Sequence, residues 1–171
     1  MSDSWIQPDT CLIAQFVSEP IGAQTVQGTV KSYVLAAESV SIDNVYDHIV
    51  LKVVHGDGSA VRGTLLALGE HGPGTELNSS QRTKNVADAA ALTPVIAVDG
   101  DRIVLELGFI GLGSSPTARY YIGAPSGVGD APEAESGGTL LDGWLEFSMT
   151  IAPASGGGGL EGFGGGSSIG L

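Results

Sequence analysis

The sequence predicts an all-β protein: a single antiparallel β-sandwich, jelly-roll-like, of about eight strands. Three observations predict it. The strongest hydrophobic pattern has period two, as in Ile103, Leu105, Leu107 and Phe109 against Arg102 and Glu106. Such alternation marks a strand with one packed face and one wetter face. Second, the strand-like segments are short and separated by clusters of Gly, Pro, Asp and Ser, the spacing expected of a sandwich or barrel. Third, no window carries a convincing helical stripe. The best one, residues 81–92, has a middle of Thr83-Lys84-Asn85-Val86-Ala87-Asp88-Ala89-Ala90 with almost no apolar face.

Taken in chain order, residues 12–17 and 29–36 are the first strand candidates. Residues 48–55 follow, with Ile49, Leu51 and Val53 alternating against His48 and Lys52. Residues 62–68, 93–98, 101–110 and 118–123 continue the series. The last is 144–151, where Leu145, Phe147, Met149 and Ile151 alternate with Glu146, Ser148 and Thr150. Eight strands in two interlocked sheets leave few open edges, and the jelly roll is the common eight-stranded version. These limits give three parts: an N-terminal arm over 1–10, a sandwich over 11–152 and a Gly-rich C-terminal arm over 153–171.

Two segments depart from the pattern. Residues 125–138 form a loop rich in Gly, Pro and acid. Residues 155–171 are of low complexity, and the chain holds 27 glycines in 171 residues, about twice ordinary usage. Ordering so much glycine costs backbone entropy. Leu160, Phe163, Ile169 and Leu171 nevertheless recur inside it. The segment reads either as a disordered terminus or as an arm whose sparse apolar anchors dock on a neighbouring subunit. Trp5 is the matching anchor in the N-terminal arm.

Charge narrows the partners. Lys plus Arg number 7 against 19 for Asp plus Glu, a formal charge of −12. A chain this acidic offers no basic patch to a phosphate backbone or an anionic membrane surface, which argues against direct binding to nucleic acid or membrane. No apolar stretch approaches the roughly 20 residues of a membrane helix. The start, Met1-Ser2-Asp3-Ser4-Trp5, lacks a basic region before an apolar core and so does not read as a signal peptide. Synthesis in the cytoplasm is the expectation.

The residues point to no catalytic group and no cofactor. The single cysteine, Cys11, lies in the apolar run Cys11-Leu12-Ile13-Ala14 and reads as a small buried hydrophobe. His48 follows Asp47, and neighbours on a strand point to opposite faces, so they make a poor dyad. His55 and His71 read as turn and strand-end residues. The turns at Asp57-Gly58-Ser59 and Asp99-Gly100-Asp101 resemble fragments of a calcium loop. Neither carries the full ligand series, and Asp-Gly pairs are also ordinary turn chemistry. Tyr120 and Tyr121 point to opposite faces, which leaves one of them exposed as a conceivable sugar platform or cross-strand packing residue.

The order Gln15-Phe16-Val17-Ser18, then Gln24-Thr25-Val26-Gln27-Gly28-Thr29-Val30, then Glu38-Ser39 resembles a family of small structural proteins of tailed bacteriophages. Val61-Arg62-Gly63-Thr64-Leu65-Leu66-Ala67-Leu68, Gly100–Gly108 and the acidic loop before Trp144-Leu145-Glu146-Phe147-Ser148 follow the same scheme. The resemblance spans residues 15–148, rests on structural motifs, and leaves the glycine tail unmatched. It implies a β-sandwich virion component on the head or the tail. The expected function is a capsid decoration (cement) protein on the outer capsid surface. Its partners would be the major capsid protein and copies of itself, with a trimer possible. Trp5, Leu160, Phe163, Ile169 and Leu171 would be the partner contacts. A tail or baseplate component and a carbohydrate-binding adhesion module are the alternatives.

Overall fold

A computed structural model describes residues 9–41, 44–68, 76–80, 82–111, 116–121, 129–134, 142–156 and 168–170. Its elements are all strands: β1 (Asp9–Val17), β2 (Gln24–Val26), β3 (Thr29–Glu38), β4 (Val45–Val54), β5 (Val61–Leu68), β6 (Arg82–Ala91), β7 (Val95–Ala97), β8 (Arg102–Gly111), β9 (Ala118–Tyr121), β10 (Trp144–Phe147) and β11 (Ser168–Gly170). One sheet has the order β1-β8-β4-β5. The other has the order β11-β10-β3-β6, with β9 also pairing β3. Every ladder is antiparallel. β2 and β7 form a separate two-stranded ribbon.

The period-two pattern is what packs the sheets together. In β4, Ile49, Leu51 and Val53 are fully buried, while His48, Val50 and Lys52 are half-buried on the other face. Ile103, Leu105, Leu107 and Phe109 of β8 point the same way. They meet Val30, Val34 and Ala36 of β3 and Leu145 and Phe147 of β10 in one core. Each such side chain adds about 1.5–3 kcal/mol by leaving water.

Two sequence expectations change. Within the window over 81–92, Arg82–Ala91 form strand β6, paired along β3 from Ala36↔Arg82 to Thr29↔Ala91. Its lack of a clean period-two pattern is explained by Val86 and Ala87, which are buried together beside a register shift in the ladder. The strand expected over 144–151 stops at Phe147, because Ser148 turns back to exchange bonds with Thr29. The Ser148 N–H donates to the Thr29 carbonyl (2.9 Å), and the Thr29 N–H donates to Ser148 Oγ (2.8 Å). Met149 and Ile151 still pack against the core from beyond the strand.

The outer side of β3 is covered as well. Tyr33 and Trp144 lie side by side there, ring centroids 5.1 Å apart. The Trp144 Nε1–H donates to the Ala131 carbonyl (2.5 Å). This contact fixes residues 129–134, the described part of the acidic loop, onto the sheet and buries Ala131.

Candidate functional site

The polar side chains with the most chemistry gather at three places. The first is the turn before β8. Gly100 has a φ of 92°, and the Asp101 N–H donates to the Val98 carbonyl (3.0 Å), closing a tight turn. Asp101 is buried at 3% exposure. Its carboxylate receives the Arg62 Nε–H, the Arg62 Nη2–H (3.0 Å) and the Val98 N–H (2.8 Å). Burial pushes this carboxyl upward, but the Arg62 hydrogen bond, the Val98 N–H and the Arg62 charge together hold it below the ordinary value. The oxygens that a calcium reading needs are engaged by a guanidinium. At the other acidic turn, Asp57 Oδ1 receives the Ser59 N–H (2.9 Å), an Asx turn.

Because the folded-state carboxyl of Asp101 titrates below its unfolded value of about 3.9, its contribution is complete above that pH. It is lost as pH falls through the folded value. Asp101→Asn is therefore expected to lower Tm at neutral pH, with the gap to wild type narrowing as pH falls below about 3.9 toward the folded value. Thermal unfolding followed by circular dichroism across that range checks it.

The second place lies between the sheets. Asp47 occupies an inward position of β4 and is 4% exposed. The Tyr120 hydroxyl, inward from β9, reaches both Asp47 Oδ1 (2.5 Å) and the Gly108 carbonyl (2.9 Å). Burial, then the Asp47 charge and hydrogen bond, push the phenol well above its ordinary value. His48 faces the other way, half-buried, and burial lowers its imidazole. The neighbouring Asp47 and His48 thus occupy opposite faces of β4, as period two requires.

The third place is the outer face of the β1-β8-β4-β5 sheet. The Lys52 Nζ donates to Glu106 Oε2 (2.6 Å), and the Gln15 amide donates to Glu106 Oε1 (3.2 Å). Arg102 reaches the Ser18 carbonyl (2.7 Å). Arg102 therefore bonds to the chain just past β1, and Glu106 to the adjacent strands β1 and β4. With Val17, Val54, Val61 and Val104 they line a shallow groove of about 410 Å³ beneath the turn at Gly56–Gly58. Among the described residues, no group of three or more His, Cys, Asp or Glu is placed to hold a metal ion.

Several sequence expectations need correcting or placing. Cys11 is exposed. Among the described residues β1 is the outermost strand of its sheet, so position 11 has a described neighbouring strand on one side only. Tyr120 and Tyr121 are both half-buried, so neither stands exposed, and the Tyr120 hydroxyl is committed inward to Asp47. Ile169 lies in β11, its backbone opposite Leu145. Trp5, Leu160, Phe163, Leu171 and His71 lie outside the described residues. The Asp47–Tyr120 contact was missed, although Asp47 sits in the apolar phase of Val45, Ile49, Leu51 and Val53. An acid on the core face of a strand is the signal that would have found it.

No helix among the described residues is long and apolar enough to cross a membrane. No family model matches the chain, and neither any curated protein nor any solved structure matches it.

Proposed function

We propose that this chain is a structural protein of a tailed-bacteriophage virion, a capsid decoration (cement) protein seated on the outer head lattice. The observation that carries the reading is where the reactive polar groups go. Arg62, Asp101, Asp47 and Tyr120 are each bonded to another part of the scaffold, and β11 joins a sheet edge through backbone pairing with β10. Such a molecule acts by contact. Its partners would be the major capsid protein and further copies of itself, with a trimer on a threefold site as the arrangement that fits such a lattice.

The mechanism follows from mass action. A ligand that binds only the assembled shell stabilises it by RT ln(1 + [L]/Kd). Repetition over a symmetric lattice turns modest contacts into large avidity. The arms are the contact elements, with Trp5, Leu160, Phe163, Ile169 and Leu171 as anchors.

Two experiments test the reading. Cryo-electron microscopy of virions carrying a tagged copy is expected to give tag density repeated over the head. Tag density confined to the tail would assign the protein to tail or baseplate, and absence from the virion would sink the reading. Deletion of residues 155–171 is expected to weaken shell binding at least about tenfold, or about 1.4 kcal/mol, while the sandwich still unfolds cooperatively. Full binding by the truncated protein would remove the arm from the mechanism.

A further inference from the structure

Four charged side chains are buried among the described residues: Glu38, Asp47, Lys84 and Asp101. Arg62 answers Asp101 beside the Val54–Arg102 end of the β4-β8 ladder. The other three gather at the opposite end of the sandwich. Lys84 is 5% exposed, and of the seven Lys and Arg it alone is buried. A lysine is rarely buried to this degree unless a group of opposite character stands beside it.

The strand register sets which way each of these side chains points. Lys84 stands opposite Val34 in the β3-β6 ladder and two places from Val86, and both valines belong to the central core. Glu38 stands opposite Ala118 and two places from Ala36, which also face that core. Asp47 points inward from β4 and accepts the Tyr120 hydroxyl. Lys84, Glu38, Asp47 and Tyr120 therefore all project into the space between the sheets.

The segment before β6 draws them together. The Leu77 N–H donates to the Val45 carbonyl (2.8 Å), and the Glu38 N–H donates to the Asn78 carbonyl (3.0 Å). The start of β4, the end of β3 and the approach to β6 thus meet at one corner. β4 and β6 belong to different sheets, yet their Cα atoms come within 8 Å, closer than the roughly 10 Å between packed sheets. The long stem of a lysine spans such a gap.

We infer that Lys84 and Asp47 are joined by an amide bond between Nζ and Cγ, an isopeptide crosslink from one sheet to the other. Glu38 takes a proton from the Lys84 ammonium, which frees the Nζ lone pair to attack Asp47 Cγ. The Nζ–Cγ bond forms and the Cγ–Oδ2 bond breaks. Two protons pass in turn from Nζ through Glu38 to Oδ2, and one water leaves. The condensation consumes no oxidant, reductant or co-reactant. The Tyr120 hydroxyl, 2.5 Å from Oδ1, supports the negative charge that gathers there during attack and remains the donor to the amide oxygen afterwards. Condensation replaces two charges in an apolar core by one neutral amide, and the sheets hold the reacting groups together. This goes beyond the decoration reading, because it concerns the covalent structure of the chain and holds whatever surface the protein binds.

The test is the intact mass of the purified full-length chain, denatured and measured by electrospray mass spectrometry. It is expected to fall below the mass of the sequence by one water, about 18 Da. Trypsin is expected to release residues 32–52 joined to residues 83–102, with no cleavage after Lys84. Lys84→Met and Asp47→Ala should each restore the full mass, and the wild-type measurement stands without either variant folding. A wild-type chain at its full mass overturns the inference. So does a loss of water that persists in Lys84→Met, since dehydration at Asp57-Gly58 or Asp99-Gly100 would give the same mass. Glu38→Gln with the wild-type far-ultraviolet signature should leave most of the chain at full mass. Complete loss of water in that variant would overturn the role given to Glu38.

Discussion

Gly108→Ala is expected to lower the unfolding free energy by about 3 kcal/mol, the upper range for forcing extra atoms into a packed site. That corresponds to a fall of about 6–12 °C in Tm for a domain of this size. The reason is a close approach of two backbones. A Cβ on Gly108 would lie 2.2 Å from the Cys11 carbonyl oxygen and 3.2 Å from Leu12 Cα. Neither atom can rotate aside as a side chain would, so β1 itself must move away from β8. The contact coincides with the register shift after Leu12, where β1 has the least slack. Differential scanning calorimetry gives the magnitude. Hydrogen exchange localises it: the amides of β1 should lose protection before those of β4, the strand on the far side of β8. A variant with wild-type Tm would mean that the two strands are held less closely than this geometry requires.

Tyr120→Phe is the second large effect, expected at about 2 kcal/mol. The substitution keeps the ring and removes the hydroxyl donor to Asp47 and Gly108. An acceptor that stays buried after losing a donor bears the desolvation cost. The pH dependence separates this from a simple loss of packing. The folded-state phenol ionises well above its ordinary value, so the native state keeps the proton where the unfolded chain, near pH 10, gives it up. The stabilisation from Tyr120 is thus fully present below about pH 10 and is lost as pH rises toward the folded value. The stability gap between wild type and Tyr120→Phe should accordingly narrow above about pH 10. Urea unfolding at pH 7 and again on the alkaline limb measures both quantities. A gap independent of pH would mean that the folded phenol ionises as in the unfolded chain, against the buried contact with Asp47.

These effects depend on features that differ in how far the sequence reveals them. The alternation of Ile49, Leu51 and Val53 and of Ile103, Leu105, Leu107 and Phe109 determined by itself that the chain is all-β and which faces of these strands are buried. Period two is a local property of the strand, so it is legible one segment at a time. The turn chemistry at Asp57 and at Asp99-Gly100-Asp101 was legible for the same reason: an Asx turn is completed by a residue two places away. β6 was harder to read. Its alanines carry little hydrophobic signal, and its strand state comes from pairing with β3 along its whole length.

What only the tertiary structure decided are the relations between strands distant in sequence. Nothing local distinguishes an edge strand from a central one, so Cys11 in an apolar run reads as buried although β1 has a described neighbouring strand on one side only. The contact of Tyr120 with Asp47 joins positions 73 residues apart, and that of Arg62 with Asp101 joins positions 39 apart. Each exists because sheet order and sandwich packing bring two strands together. Hydrophobic periodicity fixes which side of a strand faces the core. Only the packing of the whole chain fixes which residue it meets there.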